Sequence, residues 1–249
     1  MTPRIDVPKE DAAFARSLLL HEDAHILVFN KPTGLAVQGG SGVTQSLENL
    51  LGAFAKSNGK RPRLVHRLDR DTSGVIVAAR TKPAAALLSE AFAGRDVHKL
   101  YVAVVCGGAP APPEGEISAP LKKASRKGLD IVEIAHANEP GAQTARTRYR
   151  TLSATDAAAL VALEPETGRM HQLRAHLASI GRPIAGDGKY GGLFRVAGVE
   201  TPNLMLHALQ LEFPHPAGGR ACFSAPPPVA FTQTCQRLGL GAPPEPKSC

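Results

Sequence analysis

The segment RLVHRLDRDTSGVIVAAR, residues 63–80, has the densest group of side chains that could take part in chemistry. Seven polar or charged residues fill eight positions just before a predicted strand: His66, Arg67, Asp69, Arg70, Asp71, Thr72 and Ser73. Polar groups at the end of a strand point into a cleft more often than into a core. The residues alone leave a second interpretation open, a capped turn whose carboxylates pair with the neighbouring arginines.

A second cluster, EPETGRMHQLRAH at residues 164–176, begins a predicted helix with charge on one side. His171 and Arg174 are three residues apart, so they project from nearly the same face beside an apolar stripe. A helix there would hold Arg174 rigidly. The alternative is that His171 and His176 are ordinary surface histidines, or core histidines with satisfied hydrogen bonds.

Tyr101 is the third candidate, a single tyrosine among the apolar residues of a predicted strand. Most such tyrosines lie in the core with a hydrogen-bonded hydroxyl, and this interpretation also stays open. The sequence has no GxGxxG, GxxxxGK[ST] or GxSxG motif. It therefore gives no support to a nucleotide-hydrolysing loop or to a serine hydrolase.

Several strands with a few helices between them must position these residues. Short apolar runs predict strands, and apolar residues at helical spacing predict helices. The predicted strands lie at 25–29, 74–80, 99–107 and 203–213, with strand-like pieces at EISAPL, LDIVEIA, TARTRYRTL and AAALVALEP. The predicted helices lie at 46–55, 81–95 and 167–183. Because these elements do not alternate regularly, they predict an α+β fold with a mixed, mostly antiparallel central sheet flanked by helices.

The length of 249 residues allows one large domain or two small ones. We find no internal repeat and no second core, and expect one main domain at 21–235. Residues 1–20 are too short for a separate module and are predicted to form an N-terminal extension. Residues 236–249 are predicted to form a flexible tail.

The charge of the chain favours an anionic partner. Its net charge is +7 and its pI about 9.4, and nucleic acid is the commonest partner of a soluble basic domain. Aromatic residues make up only 4% and Trp is absent, which disfavours a binder built from many stacked rings. Arg146, Arg148 and Arg150 alternate along a predicted strand and therefore share one face, which is either a binding surface or a solvated outer face.

Neither a metal nor a membrane is indicated by the sequence. The four cysteines form no CxxC pair and the nine histidines include no HExxH motif, so no metal site is predicted. No apolar run reaches the ~18 residues that a membrane span needs, and the N-terminus lacks the apolar region of a signal peptide. We therefore predict a cytoplasmic protein.

The motifs and their order resemble those of the RluA-type pseudouridine synthases. HRLDRDTSG at 66–74 matches the HRLDxxTSG signature of that family at every fixed position. The surrounding motifs match in order, over roughly residues 21 to 230: KPTG at 31–34, KLYVAVVCG at 99–107, ETGRMHQLRAHLASIGRPIAGDGKYG at 166–191 and LMLHALQLEFPHP at 204–216. The glycine-rich loop KPTGLAVQGGSG at 31–42 is most similar to the RluC subgroup, which acts on large-subunit ribosomal RNA.

The resemblance implies that residues 21–235 form a catalytic domain that isomerises uridine to pseudouridine in RNA, without a cofactor and without a metal. Its fold would have a catalytic cleft across the sheet. Asp69 matches the catalytic aspartate, which adds either to the anomeric carbon of the ribose or to carbon 6 of the base. Arg174 matches the basic residue that pairs with this aspartate, and Tyr101 matches the tyrosine that stacks on the target base.

RNA contacts are also implied by the resemblance. A stacked uridine must be flipped out to be reached, and Arg67 matches the position associated with filling the vacated place. The predicted RNA-binding residues are His66, Arg67, Arg70, Thr72, Arg169, His171, Lys122 and Lys123. Further basic residues lie before and after the motif, at Lys56, Lys60, Arg61, Arg63, Arg126 and Lys127. The alternative for both basic clusters is solvated loop charge.

The chain departs from the RluC pattern in one respect, because we see no separate small RNA-binding domain before residue 21. Some single-domain members of the family modify transfer RNA, so we expect ribosomal RNA as the preferred partner and transfer RNA as the alternative. We expect a monomer that binds no membrane. A non-catalytic RNA-binding or RNA-folding protein is the rival from another class, and an aspartate-dependent hydrolase of a small phosphorylated substrate is a third idea.

Overall fold

The computed structural model describes residues 7–40, 44–126 and 128–245, and the chain forms two compact units. The first unit takes the chain up to His98 and adds Gln210–Pro226, and the second consists of Lys99–Leu209 and Pro227–Glu245. Ser41 and Gly42 of the glycine-rich loop, as well as Lys127, lie outside the described residues.

Helices and strands follow one another along the described chain in the mixed order that the sequence predicts. The helices are α1 (Lys9–Ser17), α2 (Leu47–Leu50), α3 (Lys82–Gly94), α4 (Gln172–Ser179) and α5 (Val229–Arg237). The strands are β1 (Leu19–Glu22), β2 (Ile26–Lys31), β3 (Arg63–Leu64), β4 (Ser73–Ala79), β5 (His98–Cys106), β6 (Glu114–Ile117), β7 (Leu121–Arg126), β8 (Leu129–Ile134), β9 (Thr147–Ala154), β10 (Ala158–Pro165), β11 (Arg195–Val196), β12 (Val199–Glu200), β13 (Leu206–Pro214) and β14 (Arg220–Ser224). The predicted α+β class with a mostly antiparallel sheet is confirmed.

The first unit is built around the antiparallel pair β2 and β4, with β1 on the outer side of β2 and β3 beside β4. All of β4 and nearly all of β2 are buried, as their continuous apolar runs predict. Lys31 pairs with Gly74 at the end of the two strands. This register places Lys31 beside the polar segment that precedes β4.

Side-chain caps define the helices of the first unit. The Ser46 hydroxyl accepts a hydrogen bond from the Asn49 amide at 3.3 Å, and the Thr81 hydroxyl accepts one from Ala84 at 3.2 Å, as expected for N-caps. The predicted helix at 46–55 is correct in its start but becomes a 3-10 turn at Leu51–Phe54. The left-handed residue that ends α3 is Arg95.

In the second unit, β5, β10, β9 and β6 pair antiparallel in that order, and β7 and β8 form a separate hairpin. Tyr101 on β5 lies opposite Leu163 on β10. Strand β7 was not predicted from the sequence, and its lysines were placed in a loop, as RNA contacts or alternatively as solvated charge. Strand β7 has the sequence LKKASR, and with Leu121 as its one large apolar residue it gives a weak apolar signal.

Helix α4 begins five residues later than the predicted start at 167. The Gln172 side-chain oxygen accepts hydrogen bonds from the Thr167 hydroxyl at 2.6 Å and the Arg169 amide at 3.1 Å. His171 then has a left-handed backbone with φ of 51°. These hydrogen bonds stabilise a loop in place of a first helical turn. The helix ends at Ser179, before the predicted end at 183, and Gly181 follows with a left-handed φ of 70°.

The arginines that alternate around β9 form a solvated outer face. The Arg148 guanidinium lies 2.6 Å from the Glu166 carboxylate, and Arg146 lies 3.3 Å from Glu116 and 3.7 Å from Glu166. Because these charges are paired and largely exposed, the interpretation as an outer face is the correct one for Arg146 and Arg148.

The predicted domain bounds of 1–20, 21–235 and 236–249 stay predictions. Within the first unit, α1 has Ala15 fully buried and the Arg16 guanidinium 5.4 Å from the centre of the Phe54 ring. In the second unit, α5 continues past residue 235, and Leu238 and Leu240 are buried. Among the described residues no helix is long and apolar enough to cross a membrane.

Candidate active site

Asp69 lies in the first unit, in the loop at 65–72 that connects β3 to β4. The Thr72 amide donates to the Asp69 carbonyl at 3.2 Å and closes a turn. Leu68 and Thr72 are buried on either side, while Asp69 is partly exposed. Two buried neighbours fix the loop, so the carboxylate has a defined position and still reaches solvent.

The side chain of Lys31 is fully buried and forms a hydrogen bond with the backbone of this loop. Its ammonium donates to the carbonyls of Pro32 at 3.0 Å, Leu35 at 2.8 Å and Arg70 at 2.9 Å. Three N–H groups therefore meet three acceptors. One of those acceptors directly follows Asp69 in the chain, so Lys31 fixes the backbone at the predicted nucleophile.

The KPTG segment makes two more bonds to the same loop. The Thr33 hydroxyl donates to the Asp71 carbonyl at 2.8 Å, and the Gly34 amide donates to the Arg70 carbonyl at 3.0 Å. Gly34 has a φ of 83°, a backbone conformation that glycine adopts without strain. In the sequence, KPTG was recognised only as a family motif. The hydrogen bonds from Lys31 and its neighbours to the loop were not predicted, although a lysine at the end of a largely apolar strand was a signal for them.

We expect Lys31→Met to change how stability depends on pH. Burial lowers the pKa of Lys31 to about 7, although the nearby Asp71 and Asp69 act to raise it. The unfolded lysine titrates near 10.5, so between these values the unfolded chain binds more protons than the folded one. The free energy of unfolding therefore gains a contribution that rises with pH from about 7 to 10.5.

Denaturant unfolding of both proteins across this pH range measures the effect. The methionine variant should lack the rise and lose about 1 to 3 kcal/mol at neutral pH, because buried carbonyls lose their donors. Unfolding curves of the two proteins that stay parallel across the range would contradict the assignment.

Within the loop, His66 and Asp71 are used by the fold itself. The His66 Nε2 accepts from the Val77 amide at 3.1 Å, and its ring stacks on Phe92 with centroids 4.2 Å apart. Arg70 forms an exposed ion pair of 3.0 Å with Asp71, so the capped-turn interpretation is correct for that carboxylate. Arg67 is exposed, and the RNA contacts of this loop stay predictions.

Arg174 lies in the second unit, on α4, and is almost completely buried. It forms a two-point ion pair with Asp187, with Nε to Oδ2 and Nη2 to Oδ1 both at 2.7 Å. The Asp187 Oδ1 also accepts from the Lys189 amide at 3.1 Å. Asp187 was not predicted from the sequence, although it lies in the GDGKYG motif at 186–191 that resembles the family.

Tyr190 completes the surroundings of Arg174. The Arg174 guanidinium carbon lies 5.2 Å from the centre of the Tyr190 ring, a cation–π contact. The Tyr190 hydroxyl is 2.9 Å from Nδ1 of His171 and accepts from the Val132 amide at 2.8 Å. Neither this tyrosine nor its contacts were predicted from the sequence.

A hydrogen-bonded core behind α4 keeps its first turn in place. The Gln172 side-chain nitrogen donates to the Arg146 carbonyl at 2.9 Å and the Thr147 hydroxyl at 3.0 Å. His176 is fully buried, with Nδ1 2.9 Å from the Thr147 hydroxyl and Nε2 2.9 Å from the Ala119 carbonyl. Burial lowers the pKa of His176, and the Ala119 carbonyl opposes that shift. His176 is therefore a satisfied core histidine, one of the two alternatives left open.

The structure brings some of the predicted residues together. In the first unit His66, Arg67, Asp69, Arg70 and Thr72 share one loop, and in the second Arg169, His171 and Arg174 lie at the start of α4. Tyr101 is partly buried on β5 of the second unit. The predicted pairing of Asp69 with Arg174 and Tyr101 joins residues of different units and stays a prediction.

The predicted basic residues of the second unit lie mostly on the hairpin β7–β8. Lys123 is exposed, whereas Lys122 is paired with Glu139 at 2.8 Å and Arg126 with Glu133 at 3.3 Å. The hydrogen bond and charge of Lys122 lower the pKa of Glu139. Arg169 is exposed and donates to the Thr144 carbonyl. The hairpin thus presents one exposed lysine and two cations with exposed carboxylate partners.

The chemistry that these residues offer is that of a carboxylate and a guanidinium. A partly exposed aspartate in a fixed loop can act as a nucleophile, and a buried arginine with a fixed geometry can hold a negative charge nearby. In the part of the chain that the structure describes, no three His, Cys, Asp or Glu side chains are close enough together to hold a metal ion.

Comparison with known proteins agrees with these features. The family model described as RNA pseudouridylate synthase matches residues 25–179. The chain is 35% identical to the ribosomal large subunit pseudouridine synthase C of Escherichia coli, over 92% of this chain and 72% of that protein. It is also 35% identical to the mitochondrial pseudouridylate synthase RPUSD4 of Xenopus tropicalis, over 92% of this chain and 82% of that protein.

A solved structure gives the same result for the fold. Human RNA pseudouridylate synthase domain containing 4 superposes with a TM-score of 0.79 at 31% identity, covering 96% of this chain and 100% of that chain. The match therefore extends over both compact units.

Proposed function

The chain belongs to the RNA pseudouridylate synthase family and is an isomerase that acts on RNA, and from this premise we propose that its substrate is 23S-type ribosomal RNA. The observation that supports this choice is the identity of 35% with a ribosomal large subunit enzyme over 92% of the chain. Transfer RNA is the second candidate substrate, because some members of the family that the sequence resembles modify transfer RNA.

The first step of the proposed mechanism is nucleophilic attack by Asp69. Its carboxylate adds to the uridine, at the anomeric carbon or at carbon 6 of the base, and the bond between ribose and nitrogen 1 breaks. Attack requires an ionised carboxylate, although a bound base excludes water and desolvation raises a carboxyl pKa. The bonds from Lys31, Thr33 and Gly34 to the loop keep this carboxylate in place during the reaction.

Arg174 is proposed to supply the positive charge that keeps the carboxylate ionised. Its two-point pair with Asp187 fixes the guanidinium before substrate binds, so little reorganisation is needed during the reaction. Tyr101 is proposed to stack on the base. The detached base turns and rejoins the ribose through carbon 5, and the bond to Asp69 breaks. The hydrogen on carbon 5 leaves as a proton, which Tyr101 is proposed to accept, and nitrogen 1 takes up a proton.

Flipping the uridine out of its helix is proposed to involve Arg67. Flipping breaks the stacking of the uridine on its neighbours, which costs a few kcal/mol. A side chain of the enzyme therefore has to fill the place that the base leaves. Arg67 is exposed in the loop two residues before Asp69, and its planar guanidinium can stack between bases.

The experiment that tests the proposed substrate follows release of tritium from RNA labelled at carbon 5 of uridine. Isomerisation must expel that hydrogen, so the readout is specific for the reaction. Ribosomal and transfer RNA, both free of protein, are compared in parallel at equal concentration. Faster release from ribosomal RNA supports the proposal. Efficient release from transfer RNA alone would overturn the substrate assignment and leave the enzyme class intact.

The hairpin β7–β8 is expected to supply part of the affinity for RNA. Replacing Lys122, Lys123 and Arg126 together by Ala should raise KM and leave the rate at saturation unchanged. If each contacts one phosphate, the slope of log affinity against log salt should become shallower by about two units, at about 0.7 per contact. Filter binding at several salt concentrations measures the slope.

The matched control replaces Arg146 and Arg148, which share Glu116 and Glu166 in a network of four charges whose sum is zero, whereas the hairpin carries the exposed Lys123 in addition to its two ion pairs. Its salt slope should equal that of the wild type. If the triple hairpin variant also keeps the wild-type slope, these cations do not contact RNA and are solvated charge.

A further inference from the structure

Tyr190 makes contacts with three separate parts of the second unit. Its hydroxyl accepts from the Val132 amide of β8 and lies 2.9 Å from Nδ1 of His171, and its ring contacts the Arg174 guanidinium. The side chain is partly buried. A single residue thus connects a hairpin, the start of α4 and the proposed catalytic cation.

The contact with Val132 is part of a larger connection between the hairpin and α4. Leu121, Val132, Ala145 and Ala175 form a small buried apolar cluster against which Met170 and Tyr190 pack. Lys189, next to Tyr190, donates to the Asp130 carbonyl of β8 at 3.1 Å. The segment 187–190 therefore contacts β8 through one partly buried and one exposed hydrogen bond.

The contact of Tyr190 with His171 is made at a residue whose backbone is strained. His171 has a φ of 51°, in the left-handed region that non-glycine residues seldom adopt, and it immediately precedes α4. Its ring meets the Tyr190 ring edge to face, with centroids 5.6 Å apart. The Tyr190 hydroxyl fixes the orientation of this imidazole at the point where the helix begins.

The contact with Arg174 fixes the guanidinium on a second side. Asp187 binds its edge in the plane, and the Tyr190 ring covers its face. Both come from one short segment, so a shift of that segment moves the guanidinium. The hydroxyl bonds to Val132 and His171 determine where the segment lies.

We propose that Tyr190 is a positioning residue, whose hydroxyl uses the hairpin β7–β8 as a support that places Arg174 for the reaction. The inference rests on the proposed function in taking Arg174 as catalytic. The lysines of the hairpin supply affinity for RNA, whereas its backbone, through Val132, supplies geometry. Loss of the lysines should therefore change KM, and loss of the Tyr190 hydroxyl should change kcat.

The test is Tyr190→Phe, which keeps the ring over Arg174 and removes only the hydroxyl. We expect kcat for tritium release to fall about tenfold, because small misplacements of a catalytic group are costly. KM and the salt slope should stay within about twofold, since no phosphate contact changes. The matched control is Tyr149→Phe, whose hydroxyl bonds only the Pro112 carbonyl at 3.3 Å among the contacts recorded for it, and which should keep the wild-type kcat.

Two further measurements separate positioning from a structural role. On an Arg174→Lys background, Tyr190→Phe should lower kcat by no more than about twofold, because residues that act through one another are not additive. Amide hydrogen exchange at Val132 should accelerate in Tyr190→Phe and stay unchanged in Tyr149→Phe. Assays are run well below the unfolding temperature of each variant, so that a loss of stability alone leaves kcat unchanged.

The outcomes separate the inference from the proposed function. An active wild type with an equally active Tyr190→Phe variant overturns the positioning role and leaves the proposed function standing. An additive loss on the Arg174→Lys background also overturns it. A wild type that releases no tritium from either RNA overturns the proposed function, and exchange at Val132 that is unaltered in Tyr190→Phe overturns the hydroxyl connection independently of any activity.

Discussion

Asp69→Asn is expected to abolish tritium release from uridine-labelled RNA, lowering the rate by about a thousandfold or more, as removal of a nucleophile typically does. The amide is nearly isosteric with the carboxylate and cannot add to uridine as a carboxylate does. Because Lys31 and Thr72 bind the backbone around this position, the loop should keep its conformation in the variant. RNA binding should therefore remain within a few-fold of the wild type.

The matched control for this variant is Asp71→Asn. Asp71 lies two residues further along the same loop, where its carboxylate forms an exposed ion pair with Arg70 and acts on Lys31 through its charge. Its removal should change the rate by a few-fold at most. Tritium release at the wild-type rate by Asp69→Asn would show that the nucleophile is another group.

Arg174→Ala is expected to cause the second large loss of activity, together with a loss of stability. The variant leaves Asp187 buried without its partner, and breaking a buried ion pair typically costs about 3 to 5 kcal/mol. A domain of ordinary stability survives such a loss, so the protein should stay folded at low temperature. Tritium release and thermal unfolding are both measured.

Comparison with Asp187→Asn separates the two effects. Asp187→Asn removes the same ion pair and keeps the guanidinium, so it should cost comparable stability and less activity than Arg174→Ala. Arg148→Ala, an exposed and paired arginine, serves as the control for loss of an arginine. If Arg174→Ala keeps normal stability and a normal rate, Arg174 takes no part in the site.

Helices and strands were predicted correctly where a capping side chain or an apolar run determines where the element lies. Ser46 and Thr81 stand at the first positions of the predicted helices 46–55 and 81–95 and cap them, and the apolar runs of β2, β4 and β5 form strands. The start of α4 was wrong because Gln172 binds the preceding loop with its side chain, and propensity does not report such a bond.

The partners of the site residues were harder to predict than the residues themselves. Arg174 was recognised from its motif, but the carboxylate that it binds in the second unit is Asp187, thirteen residues further along. Any acidic residue is an equal candidate in the sequence, and only the fold chooses among them. The same holds for Lys31, whose three acceptors are backbone carbonyls and therefore have no sequence signature.

In its protonated form Lys31 acts on the loop as a coordinated monovalent cation would, with the difference that it is covalently attached to the chain. Such a cation cannot be diluted or exchanged for another ion, and burial protects it from screening by dissolved salt. A change in ionic strength should therefore alter the affinity for RNA and leave the geometry of the loop at Asp69 unchanged. A guanidinium could not replace it, because a flat fork cannot direct three N–H groups from one atom towards three converging carbonyls.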